Sequence, residues 1–170
     1  MKKYEFTGET KKVGILGDIT VRRIRATVAF GLVKVGELGG WIEKEENLSQ
    51  ENDAWVYGNA EVYGDAWVCG NAEVYGDAWV CGNAEVLQIS HLLVIGPAGS
   101  RNDFTTFFRD KDNEITVRCG CFLGKIDRFL KKVQETHGDN KYALVYKAAV
   151  EVAKVQIDLT TKTEGREENV

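Results

Sequence analysis

The sequence predicts a mainly β fold: a short solenoid of stacked strands, then a small C-terminal β-sheet plus two-helix α+β module. Three observations predict it. The stretch "DAWVYGNAEVYGDAWVCGNAEVYGDAWVCGNAEV", Asp53 to Val86, repeats a twelve-residue unit almost without variation, and a fixed period marks a repeat architecture. Within it Val recurs in strict steps of six, from Val56 to Val86, which scatters around a helix of about 3.6 residues per turn but suits short strands joined by turns. Beyond the repeat, "IDRFLKKVQETHG" places Ile126, Phe129, Leu130 and Val133 on one face of a helix.

Taken in order, residues 1–46 read as an N-terminal β cap. "DITVRRIRATVAF" alternates apolar and polar residues, and "GELGG" reads as a turn into the repeat. Arg22, Arg23 and Arg25 read as a solvated strand face. Capping is needed because the first strands of a solenoid otherwise present unpaired edges.

The solenoid is predicted over residues 47–92. Each Ala-x-Val turns two small apolar side chains to one side of a strand and the residue between them to the other. Gly-Asn and Gly-Asp supply turns, because Gly and Asn accept positive φ. Val56 with Ala60, Val62 with Ala66, Val68 with Ala72, Val74 with Ala78 and Val80 with Ala84 carry an aliphatic residue every six positions and a small one four later. This pattern resembles the hexapeptide-repeat family, whose fold is a left-handed parallel β-helix. The family's usual Gly directly after the aliphatic is replaced by Tyr57, Tyr63, Cys69, Tyr75 or Cys81. The resemblance covers about a quarter of the chain and bears on fold rather than activity.

The family takes three hexads per coil, which implies eighteen residues. Trp55 is then expected over Glu73, Trp67 over Glu85 and Glu61 over Trp79, while Ile42, Leu48 and Leu92 extend the stack. Trp55, Trp67 and Trp79 have two readings, a solvated face or a subunit contact of the kind in which Trp is enriched. An ice-binding face would want regular Thr, and Asp53–Val86 has none.

Residues 93–159 are expected to form a ligand-binding and oligomerisation module. "HLLVIG", "FTTFFRD" and "EITVRCGCF" read as three strands. A helix ends at Gly138, and Asp139 caps a second helix over about 140–158. That helix confines its polar residues to the stripe Lys147, Glu151, Lys154, Asp158, so its wide apolar surface predicts a homo-oligomer through 140–158. Residues 160–170, "TTKTEGREENV", read as a disordered tail.

Charge narrows the function. The net charge is −4, and residues 51–87 hold seven acids and no Lys or Arg. Such a rod repels phosphate backbones, which argues against a nucleic-acid polymer as partner. With no secretory h-region and no apolar run able to span a bilayer, the expected location is the cytoplasm, with no membrane partner. Cys69, Cys81, Cys119 and Cys121 have spacings unsuited to disulfides and read as reduced thiols. No metal and no cofactor is expected: a lone Cys119-x-Cys121 is a weak ligand pattern.

Hexapeptide-repeat proteins are often acyltransferases with a His base beside the coil. Of the two His here, His91 is the nearer, though a satisfied structural His is the preferred reading. The γ-class carbonic anhydrases need three His, more than this chain holds.

What remains is "GPAGSRND". A strand ending in this turn can present N–H groups, a hydroxyl and a fork-shaped cation to a phosphate or carboxylate. Gly99, Ser100, Arg101 and Asn102 are therefore candidate ligand-binding residues, with Thr136, His137 and Lys141 of "ETHGDNK" as a second polar cluster. The arrangement "IGPAGSRNDFTTFFR … CGCF … ETHGDNKYA" also resembles an uncharacterised group of hexapeptide-repeat proteins from phages, prophages and gut bacteria. That resemblance suggests a sponge that sequesters a nucleotide signal of host defence, in the host cytoplasm. The expected function is non-catalytic capture of a small anionic, nucleotide-like ligand by a homo-oligomer. The alternatives are a structural scaffold and an acyltransferase.

Overall fold

The computed structural model describes residues 1–161. It is mainly β, with thirteen strands in four sheets and two α-helices among these residues.

β1 (Tyr4–Val13) and β2 (Ile19–Ala26) form an antiparallel hairpin, and β3 (Leu38–Ile42) pairs antiparallel with β2. Val21, Ile24 and Ala26 turn inward. Arg22 and Arg25 face solvent, where Arg25 pairs with Glu5. The expected turn at "GELGG" is corrected: its last three residues open β3. Gly39 and Gly40 are there for proximity, since the strand runs against Trp55, Ile24 and the carbonyls of Val56 and Ala60 with no room for a Cβ.

Six two-residue strands follow: β4 (Trp55–Val56), β5 (Glu61–Val62), β6 (Trp67–Val68), β7 (Glu73–Val74), β8 (Trp79–Val80) and β9 (Glu85–Val86). β4 pairs with β7, β5 with β8 and β6 with β9, all parallel, with Trp55 opposite Glu73, Glu61 opposite Trp79 and Trp67 opposite Glu85. The valines and alanines of the repeat are at most 2% exposed and share one core. Periodic strands in parallel pairs fit a short solenoid of eighteen-residue turns. Gly70 shows why the turns need Gly: its φ is 60°, and a Cβ would overlap the Leu87 carbonyl.

The stack extends toward the N-terminus as expected, through Ile42 opposite Val62 and Leu48 opposite Val68. Here the offset is twenty residues, and the two extra ones fall in the loop between Leu48 and Val56. Lys3 is buried against that loop, its Nζ donating to the carbonyls of Glu51, Asn52 and Ala54. Leu92 packs on the core but does not extend the parallel stack: it opens the next sheet, paired antiparallel with Phe108.

At Trp55 both readings, solvated face and subunit contact, are corrected. The residue is 0% exposed, with Tyr4 and Phe30 edge-on at 6.2 and 5.3 Å, so the N-terminal segment of the same chain covers it. Trp79 lies under Arg118, 5.3 Å away, and Trp67 is half-buried.

β10 (Leu92–Ala98), β11 (Asp103–Arg109), β12 (Ile115–Cys119) and β13 (Phe122–Lys125) form an antiparallel meander. The third predicted strand is corrected: "EITVRCGCF" is a hairpin that reverses at Gly120, φ 55°, so Cys119 and Cys121 are not on one strand. The meander separates two cores. Phe108 enters the core of the repeat, and the Thr106 hydroxyl accepts from the Trp79 N–H. Phe107 and Val117 face α1 (Ile126–His137) and α2 (Lys141–Gln156) on the other side.

The α2 cap is Asn140 rather than Asp139. The Asn140 side chain accepts from the N–H groups of Tyr142 and Ala143, the N2 and N3 donors a cap must reach. Ala143, Tyr146, Ala149, Val150 and Ala153 pack inward, while Leu144, Val145, Val152 and Val155 are exposed. No helix among the described residues is long and apolar enough to cross a membrane. Of the predicted disordered tail, residues 162–170 lie outside the described residues.

Candidate functional site

The β10–β11 turn sits on α2. Gly99, with φ 74°, is buried directly against the Tyr146 hydroxyl, where any Cβ would overlap it. That contact fixes the next residue: the Ser100 N–H donates to Tyr146 Oη at 3.3 Å. Ser100 Oγ then lies 3.5 Å from Tyr146 Oη and 3.5 Å from His137 Nε2. His137 is the last residue of α1, its ring stacked against Tyr146 at 5.7 Å and tilted toward Tyr142 at 5.9 Å.

Arg101 is exposed and leans on the β12–β13 turn, where a Cβ on Gly120 would come within 2.8 Å of its Nη1. It makes no hydrogen bond or ion pair among the described residues. Asn102 closes the turn at φ 47°, its N–H donating to the Gly99 carbonyl. Lys141 opens α2 with Nζ 5.0 Å from the Tyr142 ring, the ring that also borders His137. Thr136 is exposed, and no hydrogen bond joins it to the turn.

The structure thus brings Ser100 and His137 together, with Lys141 one ring away; Arg101 follows Ser100 in the turn but its guanidinium lies against Gly120. Sequence reasoning missed Tyr146 and Gly120. By sequence Tyr146 falls on the wide apolar surface of the 140–158 helix. Its spacing of four from Tyr142, which aligns both phenols on one helix face, was the available signal.

An oxyanion with apolar or aromatic neighbours suits this corner. Ser100 Oγ and a ring N–H of His137 are donors, Arg101 offers two parallel N–H groups, and no carboxylate among the described residues pairs with the arginine. The 3.5 Å between Ser100 and His137 is longer than the roughly 2.6–3.2 Å of a nucleophile–base pair.

His91, the alternative base, is fully buried. Its Nδ1 accepts from the Leu87 N–H at 3.2 Å, and Nε2 has no partner among the described residues. Burial, and then the nearby Arg109 charge, lower its pKa to about 4, partly opposed by Asp158. A neutral imidazole sealed in the core cannot take a proton from a substrate in solvent. The four cysteines are free thiols. No group of three or more His, Cys, Asp or Glu among the described residues could hold a metal ion.

No family model matches the chain. Over an alignment of 70 positions that covers 38% of the chain, it is 34% identical to a protein described as the uncharacterized acetyltransferase YdcK of Escherichia coli K12. The chain spans 22% of that protein's length. This likeness is compatible with a hexapeptide-repeat protein.

Proposed function

We propose that the repeat is a left-handed hexapeptide coil and that the chain is a non-catalytic binding protein for a small phosphate-bearing, nucleotide-like anion. The ligand sits at the corner of Ser100, Arg101 and His137, with Lys141 adding charge from the start of α2. One observation carries this reading: Ser100, its Oγ 3.5 Å from both His137 Nε2 and Tyr146 Oη, is followed in the turn by an arginine that no described carboxylate neutralises. Arginine in that position can grip a phosphate through two parallel N–H bonds. The lysine-free acidic repeat favours a small ligand over a polymer. Capture without turnover is the chemistry of a cytoplasmic sponge, and the same proposal includes a phage-encoded origin. It also includes assembly of two or more copies through the exposed side of α2, where Leu144, Val145, Val152 and Val155 lie open.

Calorimetry against a panel of mono-, di- and cyclic nucleotides tests it. Wild type binds at least one of them, and Arg101→Ala weakens that binding by tenfold or more while the melting temperature stays unchanged. No binding by wild type to any of the panel would overturn the proposal.

A second reading, acyl transfer, is favoured by the partial likeness to an acetyltransferase. Its base would be His137, because His91 is sealed. Release of free CoA from acetyl-CoA in the presence of an amine or alcohol acceptor, lost in His137→Gln, would select it over capture.

A further inference from the structure

Arg118 is a strongly buried cation that lines a cavity and has no ion pair among the described residues. It lies on β12 opposite Thr106, on the side of the meander that faces the repeat. The residue is 6% exposed. Its Nη1 donates to the carbonyl of Gly120 and, at 3.5 Å, to that of Phe122. Its guanidinium stands 5.3 Å from the Trp79 ring, and its charge acts on the nearby Tyr63 phenol. None of these partners carries a negative charge at neutral pH, and no ion pair to Arg118 exists among the described residues.

The cavity it lines is a groove of about 560 Å³. One wall is the β1–β2 turn with Ile15, Leu16 and Ile19, another the stacked turns at Tyr63 and Cys81, and the third Leu123 of β13. Ile15 is 67% and Leu16 86% exposed, so the apolar wall is open to solvent. Burial pushes the Cys81 thiol up, which keeps that wall uncharged at neutral pH. The other charged group in the lining is Asp18, exposed within the β1–β2 turn.

We propose that this groove is a second binding site, for a small carboxylate with an apolar body, whose carboxylate meets Arg118 while its alkyl or aryl part covers Ile15, Leu16 and Leu123. The size falls within the roughly 300–1,000 Å³ of small-molecule sites, and an apolar lining with one convergent polar group is their usual composition. A desolvated guanidinium lacking a counter-charge gains most from an anion that arrives with little water, and a carboxylate on an apolar body does that. A plain phosphate would leave the apolar walls wet. None of Ser100, Arg101, His137 and Lys141 lines this groove, so either proposal can fail without the other.

The full chain is titrated with 4-phenylbutyrate and decanoate, each beside its alcohol, by calorimetry and by tryptophan fluorescence, which reports on Trp79 under Arg118. At least one acid binds saturably, one per chain and at least tenfold tighter than its alcohol. Leu16→Ser weakens it severalfold with the melting temperature unchanged, and Arg118→Gln abolishes the preference for acid over alcohol. Should Arg118→Gln fail to fold, the acid–alcohol comparison in wild type and the Leu16→Ser variant decide alone. Absence of saturable binding of either acid, equal affinity for acid and alcohol, or full affinity in Leu16→Ser overturns the proposal. A groove that instead buries a protein partner gives the first of these results.

Discussion

Ser100 Oγ lies 3.5 Å from His137 Nε2 although 37 residues separate them, and both approach through a third side chain, Tyr146. The tyrosine orders the pair: its hydroxyl takes the Ser100 N–H and its ring carries the imidazole. Two donors held this way should act on one ligand oxygen or on two oxygens of one phosphate. Ser100→Ala and His137→Gln should each weaken nucleotide binding, and their effects should fail to add. A coupling of about 0.5–3 kcal/mol is the range for residues in one network. Calorimetry on wild type, both single variants and the double variant measures it. Strict additivity means that the two side chains do not share a ligand group.

The repeat was legible because a strict period constrains every residue in it. The six-step valines dictated which side chains point inward, and the Trp-over-Glu register followed from an eighteen-residue turn. The N-terminal segment was less legible. The burial of Trp55 depends on Tyr4 and Phe30, and no local pattern near Trp55 announces them. "GELGG" looked like a turn because glycines usually mark one, yet Gly39 and Gly40 serve close packing within a strand. In the site, the Gly-rich turn and the end of α1 were each named from local chemistry. Their meeting is a consequence of how the meander and helices pack, and Tyr146 as the link was hidden in an apolar stripe.

Close packing of β3 on the repeat makes a sharp prediction. A Cβ on Gly39 would lie 2.6 Å from Trp55 Cζ2, 2.7 Å from Ile24 Cγ1 and 2.8 Å from the Val56 carbonyl oxygen. Two of these are core atoms and one is backbone, so nothing flexible can yield. Gly39→Ala should destabilise the chain by about 1–3 kcal/mol, the usual cost of overpacking. Urea unfolding measures it, and a midpoint equal to that of wild type would show that β3 does not sit against Trp55.

The proposed assembly rests on α2. Val155 is 90% exposed, Leu144 63% and Val152 49%, on a helix whose opposite side is packed on the meander. Val152→Glu with Val155→Glu puts two charges on that outer face without touching the core. Wild type should sediment as more than one chain at micromolar concentration, and the double variant as a single chain with the same circular dichroism. A wild type that sediments as one chain would falsify assembly through this helix and leave the Ser100 corner to act within one copy.

The buried His91 predicts how stability responds to acid. Its folded pKa is about 4, against an ordinary value of 6.5, because burial and Arg109 disfavour the imidazolium. A proton on Nε2 would also need an acceptor that no described residue provides. Above pH 6.5 neither folded nor unfolded chain binds the proton, so the residue's full contribution is present. Between pH 6.5 and 4 the unfolded chain takes up a proton that the folded chain refuses, and stability falls as the pH falls. The loss approaches its limit near pH 4, on the order of 2–3 kcal/mol. His91→Gln keeps an acceptor for the Leu87 N–H but cannot be protonated, so it should lose less stability over that window. The two proteins are compared by urea unfolding at pH 7, 5.5 and 4.5, which removes the common contribution of the carboxylates. The difference between them should grow toward low pH in favour of the variant. A constant offset across the three values would mean that His91 is hydrated or protonated in the folded chain, and its exclusion as an accessible base would then have to be withdrawn.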